Sequence, residues 1–140
     1  MPPPAVVVDV RKGAMWIRLN RPEAMNSLTP EVLSGIDQAL SDAEGNQDVR
    51  AVVLTGTGRA FCAGADLKYV RSQSGSDGPR LFLDSVLATM NRLDSFPKPV
   101  IAALNGLALA GGLELVLCCD LVLAARGAKI GDAHANYGLL

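Results

Sequence analysis

Reaction chemistry is expected in this sequence where a long apolar stretch is broken by glycine and by one acidic residue. Residues 99–120 run Pro-Val-Ile-Ala-Ala-Leu-Asn-Gly-Leu-Ala-Leu-Ala-Gly-Gly-Leu-Glu-Leu-Val-Leu-Cys-Cys-Asp, in which Gly111-Gly112 precede an apolar run that carries Glu114. The run indicates a helix, and the N–H groups of a helix's first turn stabilise negative charge on a ligand that glycine allows to approach. We therefore predict an oxyanion donor at Gly111 and an acid or base, Glu114, on the same side of the helix.

Two other interpretations of this stretch stay open. Residues 100–119 have the length of a membrane span, but Glu114 in its centre would cost about 2.5 to 3.5 kcal/mol, and the Asn105-Gly106 turn interrupts the run. In the other interpretation the glycines only permit close packing and Glu114 is a buried acid with satisfied hydrogen bonds.

Composition and charge limit the classes of function. With 140 residues, 49% of them hydrophobic, residues 1–140 are sufficient for one globular domain. A net charge of −1 predicts neither nucleic acid nor an anionic membrane as a partner. Three cysteines without a Cys/His array, and a start that lacks a secretory signal, predict a cytoplasmic protein with no metal site.

The pattern along the chain alternates between short strands and helices. Residues 5–10 and 14–19 predict a hairpin around Gly13, and Thr29-Pro30-Glu31 predicts the start of an amphipathic helix. A second amphipathic helix is predicted over 81–93, a surface loop over 72–79, and buried strands over 49–55, 100–104 and 121–125, with a further strand at 129–133. This order favours an α/β fold.

Three segments together resemble the crotonase or enoyl-CoA hydratase/isomerase superfamily. They are Leu19-Asn-Arg-Pro-Glu-Ala-Met-Asn-Ser-Leu28, Ala60-Phe-Cys-Ala-Gly-Ala-Asp-Leu67 and Ala103-Leu-Asn-Gly-Leu-Ala-Leu-Ala-Gly-Gly-Leu-Glu-Leu115. The resemblance implies a spiral of repeated strand-strand-helix units that binds acyl-CoA thioesters without a separate cofactor and assembles as trimers or pairs of trimers. Members of this family are longer and have a C-terminal helical part that residues 1–140 lack, so we expect this chain to be part of a longer protein.

The resemblance also assigns candidate site residues. It implies that the backbone N–H groups of Ala65 and Gly111 hold the thioester oxygen and that Glu114 corresponds to the first of two catalytic glutamates. Residues of the matched motifs are expected along the coenzyme A portion of the substrate: Ala24, Met25, Ala63, Asp66, Lys68 and Gly112. Lys68 is a candidate partner for a phosphate, or else an ordinary solvated lysine.

The sequence departs from the family at the second glutamate. The segment Ile130-Gly-Asp-Ala-His-Ala-Asn-Tyr-Gly-Leu139 has His134 at that position. Histidine transfers protons near neutral pH, so His134 either replaces the acid or only lines the pocket, and Asp132 is a second source of a carboxylate. We predict an acyl-CoA lyase that hydrates 2-enoyl-CoA thioesters. The alternatives are an isomerase, decarboxylase or thioester hydrolase of the same superfamily, or a non-catalytic acyl-CoA-binding subunit.

Overall fold

A computed structural model describes residues 2–73, 75 and 77–133 as a layered arrangement of helices and β-sheets. Its strands are β1 (Val6–Arg11), β2 (Ala14–Leu19), β3 (Ala51–Gly56), β4 (Ala60–Cys62), β5 (Val100–Leu104), β6 (Leu107–Leu109), β7 (Leu121–Ala124) and β8 (Ile130–Gly131). Its helices are α1 (Pro30–Glu44), α2 (Leu67–Ser72), α3 (Gly78–Asp94) and α4 (Gly111–Leu117), with a short 3-10 turn at Pro22–Ala24.

The strands form two sheets. The larger sheet has the order β1-β2-β3-β5-β7, and the smaller has the order β4-β6-β8. Only β1 and β2 are antiparallel among these pairings, and all the others are parallel. Three successive strand pairs, β3/β4, β5/β6 and β7/β8, each give one strand to each sheet, so the α/β prediction is confirmed and the chain advances by one strand in both sheets at every step.

The predicted hairpin and the first predicted helix are both present. Lys12 and Gly13 both have positive φ, as the tight turn of a hairpin requires, and Arg11 pairs with Ala14 across it. Thr29 caps α1 by accepting a hydrogen bond from the Val32 N–H at 3.4 Å.

The core lies between the larger sheet and helices α1 and α3. Strand residues alternate between buried and partly exposed positions along β2 and β5, as expected for a sheet that buries one face. The helices contribute apolar side chains at helical spacing: Val32, Leu33, Ile36, Leu40, Phe82, Met90 and Leu93.

The apolar stretch at 100–119 is divided among three elements. It forms β5, β6 and the seven-residue helix α4, and no helix in the described ranges is long and apolar enough to cross a bilayer. The interpretation of this stretch as a membrane span is therefore wrong. Strand β6 was not predicted from the sequence, because its three residues are too few to show the alternation of a strand.

Two other expectations change in the structure. The strand expected at 121–125 forms as β7, but its four residues are exposed instead of buried. Among the described residues, β7 is the edge strand of the larger sheet and no helix covers it. The expected loop is also shorter than 72–79, because α2 continues to Ser72 and α3 begins at Gly78.

Lys98 stabilises the end of α1 from a distant part of the chain. Its Nζ donates to the carbonyl oxygens of Ala43 at 2.6 Å, Asn46 at 2.9 Å and Val49 at 2.7 Å. The last carbonyls of a helix have no intrahelical donor, and the negative end of the helix dipole favours a cation there. Of the three carbonyls, only that of Ala43 belongs to α1, so Lys98 joins the last turn of α1 to the segment that follows it, just before the chain enters β5.

We predict that Lys98→Met, which keeps the length of the side chain but removes the ammonium, lowers the free energy of unfolding by about 1.5 to 3 kcal/mol. Lys129→Met is the matched control, because Lys129 is exposed and its side chain bonds to no described residue. Urea unfolding of both variants measures the effect. Equal stability of the two variants would contradict the role assigned to Lys98.

Candidate functional site

The candidate site lies at one edge of the smaller sheet. Strands β4, β6 and β8 are parallel, so their carboxyl ends meet at the same edge. The segments that leave this edge are residues 63–66 after β4, 110–112 after β6 and 132–133 after β8. Ligands of parallel sheets bind outside the carboxyl ends of the strands, so the fold brings together Ala65 and Gly111, the two expected oxyanion donors.

Ala65 is held by pairing with the loop that precedes α1. Leu28 and Ala65 form an isolated parallel bridge, in which the Leu28 N–H donates to the Gly64 carbonyl at 2.8 Å and the Asp66 N–H donates to the Leu28 carbonyl at 2.9 Å. In such a bridge the polar groups of Leu28 face the partner segment, whereas those of Ala65 point away from it. The Ala65 N–H therefore points away from Leu28, and it has no backbone acceptor among the described residues.

Gly111 opens helix α4 next to Ala65. Its N–H is in the first turn, which has no intrahelical acceptor. A Cβ built on Gly111 would lie 3.5 Å from the Ala65 nitrogen and 3.3 Å from the Gly64 Cα. The open side of Gly111 thus faces Ala65, and the two N–H groups belong to one small region.

The residue before Gly111 has an unusual backbone conformation. Ala110 caps α4 with φ 49° and ψ −119°, a region that L residues rarely occupy. Such a conformation costs about 1 to 3 kcal/mol and persists where the surrounding structure imposes it. Here the Ala110 N–H donates to the Gly131 carbonyl at 3.2 Å, and the Ala110 carbonyl accepts from the Glu114 N–H at 3.0 Å, so β8 and α4 both fix this turn.

Gly112 is required by packing. A Cβ at this position would overlap the carbonyl group of Cys62, so the start of α4 lies directly against β4. Burial raises the pKa of the Cys62 thiol to about 12, although the Gly64 N–H donates to its sulfur, and the neutral thiol acts as a packing group. The interpretation of the glycines as packing residues therefore applies to Gly112.

Among the described residues, Glu114 is not the buried acid of the second interpretation. It is in the first turn of α4, as predicted, but its side chain is exposed in the described part of the chain. The described residues form one side of a site around it and do not enclose it.

Three of the expected coenzyme A contacts lie on two adjacent loops. Ala24, Met25 and Ala63 are partly buried, and the Ala63 N–H donates to the Met25 carbonyl at 3.1 Å. Lys68 is exposed in α2, and its side chain bonds to no other described residue. His134 lies outside the described residues, and Asp132 directly follows β8.

The carboxylate of Asp66 is held by three donors. Its Oδ2 accepts from Arg21 Nη2 at 3.1 Å and Ser27 Oγ at 3.2 Å, and its Oδ1 accepts from the Tyr69 N–H at 3.0 Å, which caps α2. Burial raises the pKa of the Asp66 carboxyl, but these hydrogen bonds and the Arg21 charge outweigh burial and hold the pKa below its usual value. Asp66 is therefore ionised at neutral pH.

Sequence reasoning missed three residues that build this site: Arg21, Asn26 and Ser27. Asn26 is fully buried, with its amide donating to the carbonyls of Thr57 at 3.0 Å and Ala60 at 2.8 Å. Arg21 and Asn26 are inside one of the three family motifs, but their partners Asp66 and Ala60 are more than thirty positions away, and a single sequence shows no such pairing.

A different cleft lies at the opposite edge of the smaller sheet. It has a volume of about 370 Å³, and its lining includes Arg59, Gly106 and Lys129, which precede β4, β6 and β8. The lining of this cleft includes neither Ala65 nor Gly111. The candidate site is therefore identified by backbone geometry and not by cavity size.

Comparisons with known proteins show which sequences this chain is similar to. The sequence pattern of the enoyl-CoA hydratase/isomerase family matches residues 9–140. A Bacillus subtilis protein named for enoyl-CoA hydratase/isomerase is 47% identical over 89% of this chain and 48% of its own length. The 1,2-epoxyphenylacetyl-CoA isomerase of Escherichia coli is 40% identical over 96% of this chain and 53% of its own length.

The fold of the chain is also similar to that of solved enoyl-CoA hydratases. The crystal structure of an enoyl-CoA hydratase from Bacillus anthracis superposes with a TM-score of 0.89 at 38% identity, covering 95% of this chain and 52% of that one. The expected crotonase-type fold is confirmed. The chain spans about half the length of the curated relatives that it matches.

We predict that Gly112→Ala and Gly111→Ala differ sharply in stability. The Gly112 methyl group would overlap the Cys62 carbonyl and should cost about 3 kcal/mol, whereas the Gly111 methyl group needs only a small shift and gains helix propensity, for a net change within about 1 kcal/mol. Urea unfolding measures both values. Equal losses would show that the two glycines have the same packing role.

We also predict a pH dependence for the contribution of Asp66 to stability. Because the folded-state pKa lies below the usual 3.8, this contribution is fully present above 3.8 and is lost as the pH falls through the lowered pKa. The difference in unfolding free energy between the unmodified protein and Asp66→Asn should therefore be constant near neutral pH and shrink below pH 3.8. A difference that stays constant through this range would contradict the assignment.

Proposed function

Because this chain belongs to the enoyl-CoA hydratase/isomerase family, we propose that the natural protein adds water across the double bond of 2-enoyl-CoA thioesters. One observation carries this proposal: Ala65 and Gly111, from two different elements, present backbone N–H groups to one region without backbone acceptors among the described residues. A thioester oxygen between these groups would accept two hydrogen bonds.

The reaction makes direct use of such a pair. When the oxygen of water attacks C3 of a 2-enoyl thioester, the electrons of the double bond move towards the carbonyl and negative charge develops on its oxygen. Two fixed donors bind this enolate more tightly than the ground-state thioester, and one donor contributes about 2.7 to 4 kcal/mol. The donors are part of the backbone, so their position matters more than the side chain at each residue.

Glu114 is the proposed base. It is three residues beyond Gly111 on α4, and its exposed carboxylate takes one proton from the attacking water. The enolate then receives a proton at C2. We propose His134 as the group that delivers this proton, with Asp132 as the alternative, since a second group is needed to complete the addition of water.

The coenzyme A portion is proposed to pass along the two adjacent loops that contain Ala24, Met25 and Ala63. Gly112 would keep the start of α4 close to β4 beside it. Lys68 would bind a phosphate group of the coenzyme, because its ammonium is exposed and free of partners among the described residues. Assembly as trimers or pairs of trimers and a cytoplasmic location remain predictions.

Isomerisation is the second candidate reaction. One relative at 40% identity is named as an isomerase of an acyl-CoA, and this chain has His134 where hydratases of the family have a second glutamate. An isomerase would use the same pair of N–H donors, but it would move a proton between carbons instead of adding water.

Substrate assays distinguish hydration from isomerisation, and both from hydrolysis of the thioester. Hydration of crotonyl-CoA removes the enoyl absorbance, isomerisation of a 3-enoyl-CoA creates it, and hydrolysis releases a free thiol. We predict loss of absorbance with crotonyl-CoA for the natural protein. A gain with the 3-enoyl substrate and no reaction with crotonyl-CoA would favour the isomerase, and no reaction with either would favour a binding subunit.

Variants of the three proposed groups test the mechanism. Glu114→Gln should abolish hydration, and Gly111→Pro, which removes one N–H donor, should lower it by about 100-fold or more in a protein verified as folded. His134→Ala should reduce it severely if His134 delivers the proton and by only a few-fold if it lines the pocket. Glu31→Gln is the matched control, since Glu31 is also exposed in the first turn of a helix. Full activity in a folded Glu114→Gln protein would contradict the proposed mechanism.

A further inference from the structure

We propose that Asp66, paired with Arg21 and Ser27, is a positioning residue that fixes the direction of the Ala65 N–H and keeps its surroundings electrically neutral. This inference rests on the proposed function, because it assigns a task within the same oxyanion site. It departs from the expectation that Asp66 contacts the substrate.

The contacts of Asp66 leave little of its carboxylate for a substrate. The side chain is 12% exposed and that of Arg21 is 23% exposed, and both oxygens already accept hydrogen bonds from Arg21, Ser27 and the Tyr69 N–H. Arg21 is itself fixed, because its Nη1 donates to the Ser27 carbonyl at 2.8 Å and to Ser27 Oγ at 3.1 Å. The group is a closed network and not an open binding site.

The same network joins the two segments that orient Ala65. Asp66 directly follows Ala65, and its own N–H donates to the Leu28 carbonyl. Ser27 directly precedes Leu28. The side-chain network and the backbone bridge therefore connect the same two segments, 27–28 and 65–66, at adjacent positions. The peptide plane that carries the Ala65 N–H also carries the Gly64 carbonyl, so it cannot rotate without breaking the hydrogen bond from the Leu28 N–H. The side-chain network holds Leu28 and Asp66 at the positions that this bond requires.

Electrostatics gives the pair a second task. Asp66 is ionised and adjacent in sequence to the residue that would bind a developing negative charge, and a lone carboxylate there would repel the enolate. The Arg21 guanidinium, 3.1 Å from Asp66 Oδ2, compensates this charge. The site therefore gains a rigid helix cap without an uncompensated negative charge beside the oxyanion donors.

The decisive measurement separates the position of the donors from turnover. A saturated acyl-CoA that is isotope-labelled at the thioester carbon cannot be hydrated, and the infrared stretching frequency of its carbonyl falls when it accepts hydrogen bonds. We expect the frequency to be lower when the probe is bound to the natural protein than in water. In Asp66→Asn, which retains an oxygen for the Tyr69 N–H but loses the charge, part of this lowering should disappear.

Kinetics provides the second readout. Misplacement of a donor used in the transition state should lower kcat for crotonyl-CoA by about 10- to 100-fold, with little change in KM. The double variant Arg21→Gln with Asp66→Asn should be no more impaired than the worse single variant, because the two residues act as one unit. Asp9→Asn is the matched control, since it removes a carboxylate from the exposed Asp9–Arg11 ion pair and should change neither readout.

Each outcome supports or overturns a definite statement. If the natural protein itself shows no lowering of the carbonyl frequency, the proposed oxyanion site fails. If it shows the lowering but Asp66→Asn, verified as folded, retains all of it together with kcat within twofold, the oxyanion site stands and the positioning role of Asp66 is overturned. A rise in KM alone in Asp66→Asn would return Asp66 to a direct role in substrate binding.

Discussion

The candidate site depends on how the chain is fixed at Ala60, where it passes from the larger sheet to the smaller one. The Ala60 carbonyl accepts hydrogen bonds from two asparagine amides, Asn26 at 2.8 Å and Asn105 at 2.9 Å. The same two amides also donate to Thr57 and Gly58, and Asn105 Oδ1 accepts from the Gly56 N–H at 3.0 Å. A short turn with little regular structure of its own is thus held by side chains from two distant motifs, and β4 begins in a defined direction.

These hydrogen bonds connect the three family motifs, residues 19–28, 60–67 and 103–115, to one another. Met25 and Asn26 both have left-handed backbone conformations, which turn the chain so that the Asn26 side chain reaches Ala60 while Leu28 pairs with Ala65. Residues of each motif are therefore fixed against another motif by hydrogen bonds that leave few buried polar groups unpaired. Placing both oxyanion candidates on backbone atoms has a structural advantage, because backbone N–H groups move only when this whole framework moves.

Secondary structure could be predicted from the sequence wherever an element is long enough to show a regular spacing of apolar residues or has a clear cap or turn. The period of α1 and α3, the Thr29 cap and the hairpin turn at Gly13 all depend on neighbouring residues, and each could be predicted from them. Strands β4 and β6 have three residues each, so they show no period, and their assignment depends on pairing with each other.

The side chains of the site were harder to predict than its backbone. The resemblance indicated Ala65 and Gly111, and the structure places them together. The pairing of Asp66 with Arg21 and Ser27 could not be predicted, because these partners come from a loop 45 and 39 positions earlier. The exposure of Glu114 was likewise not predictable, since burial depends on which other segments pack around α4 and not on the helix itself.

The three bonds of Lys98 have a consequence for the order in which the protein acquires structure. They span 55, 52 and 49 positions, so the carbonyls at and just beyond the end of α1 lack this donor until the start of β5 has docked beside them. Contacts of such long range form late and slow folding, because the intervening chain must be ordered first. During synthesis, the end of the first helix therefore gains these three hydrogen bonds only after residue 98 has been added, together with the start of β5.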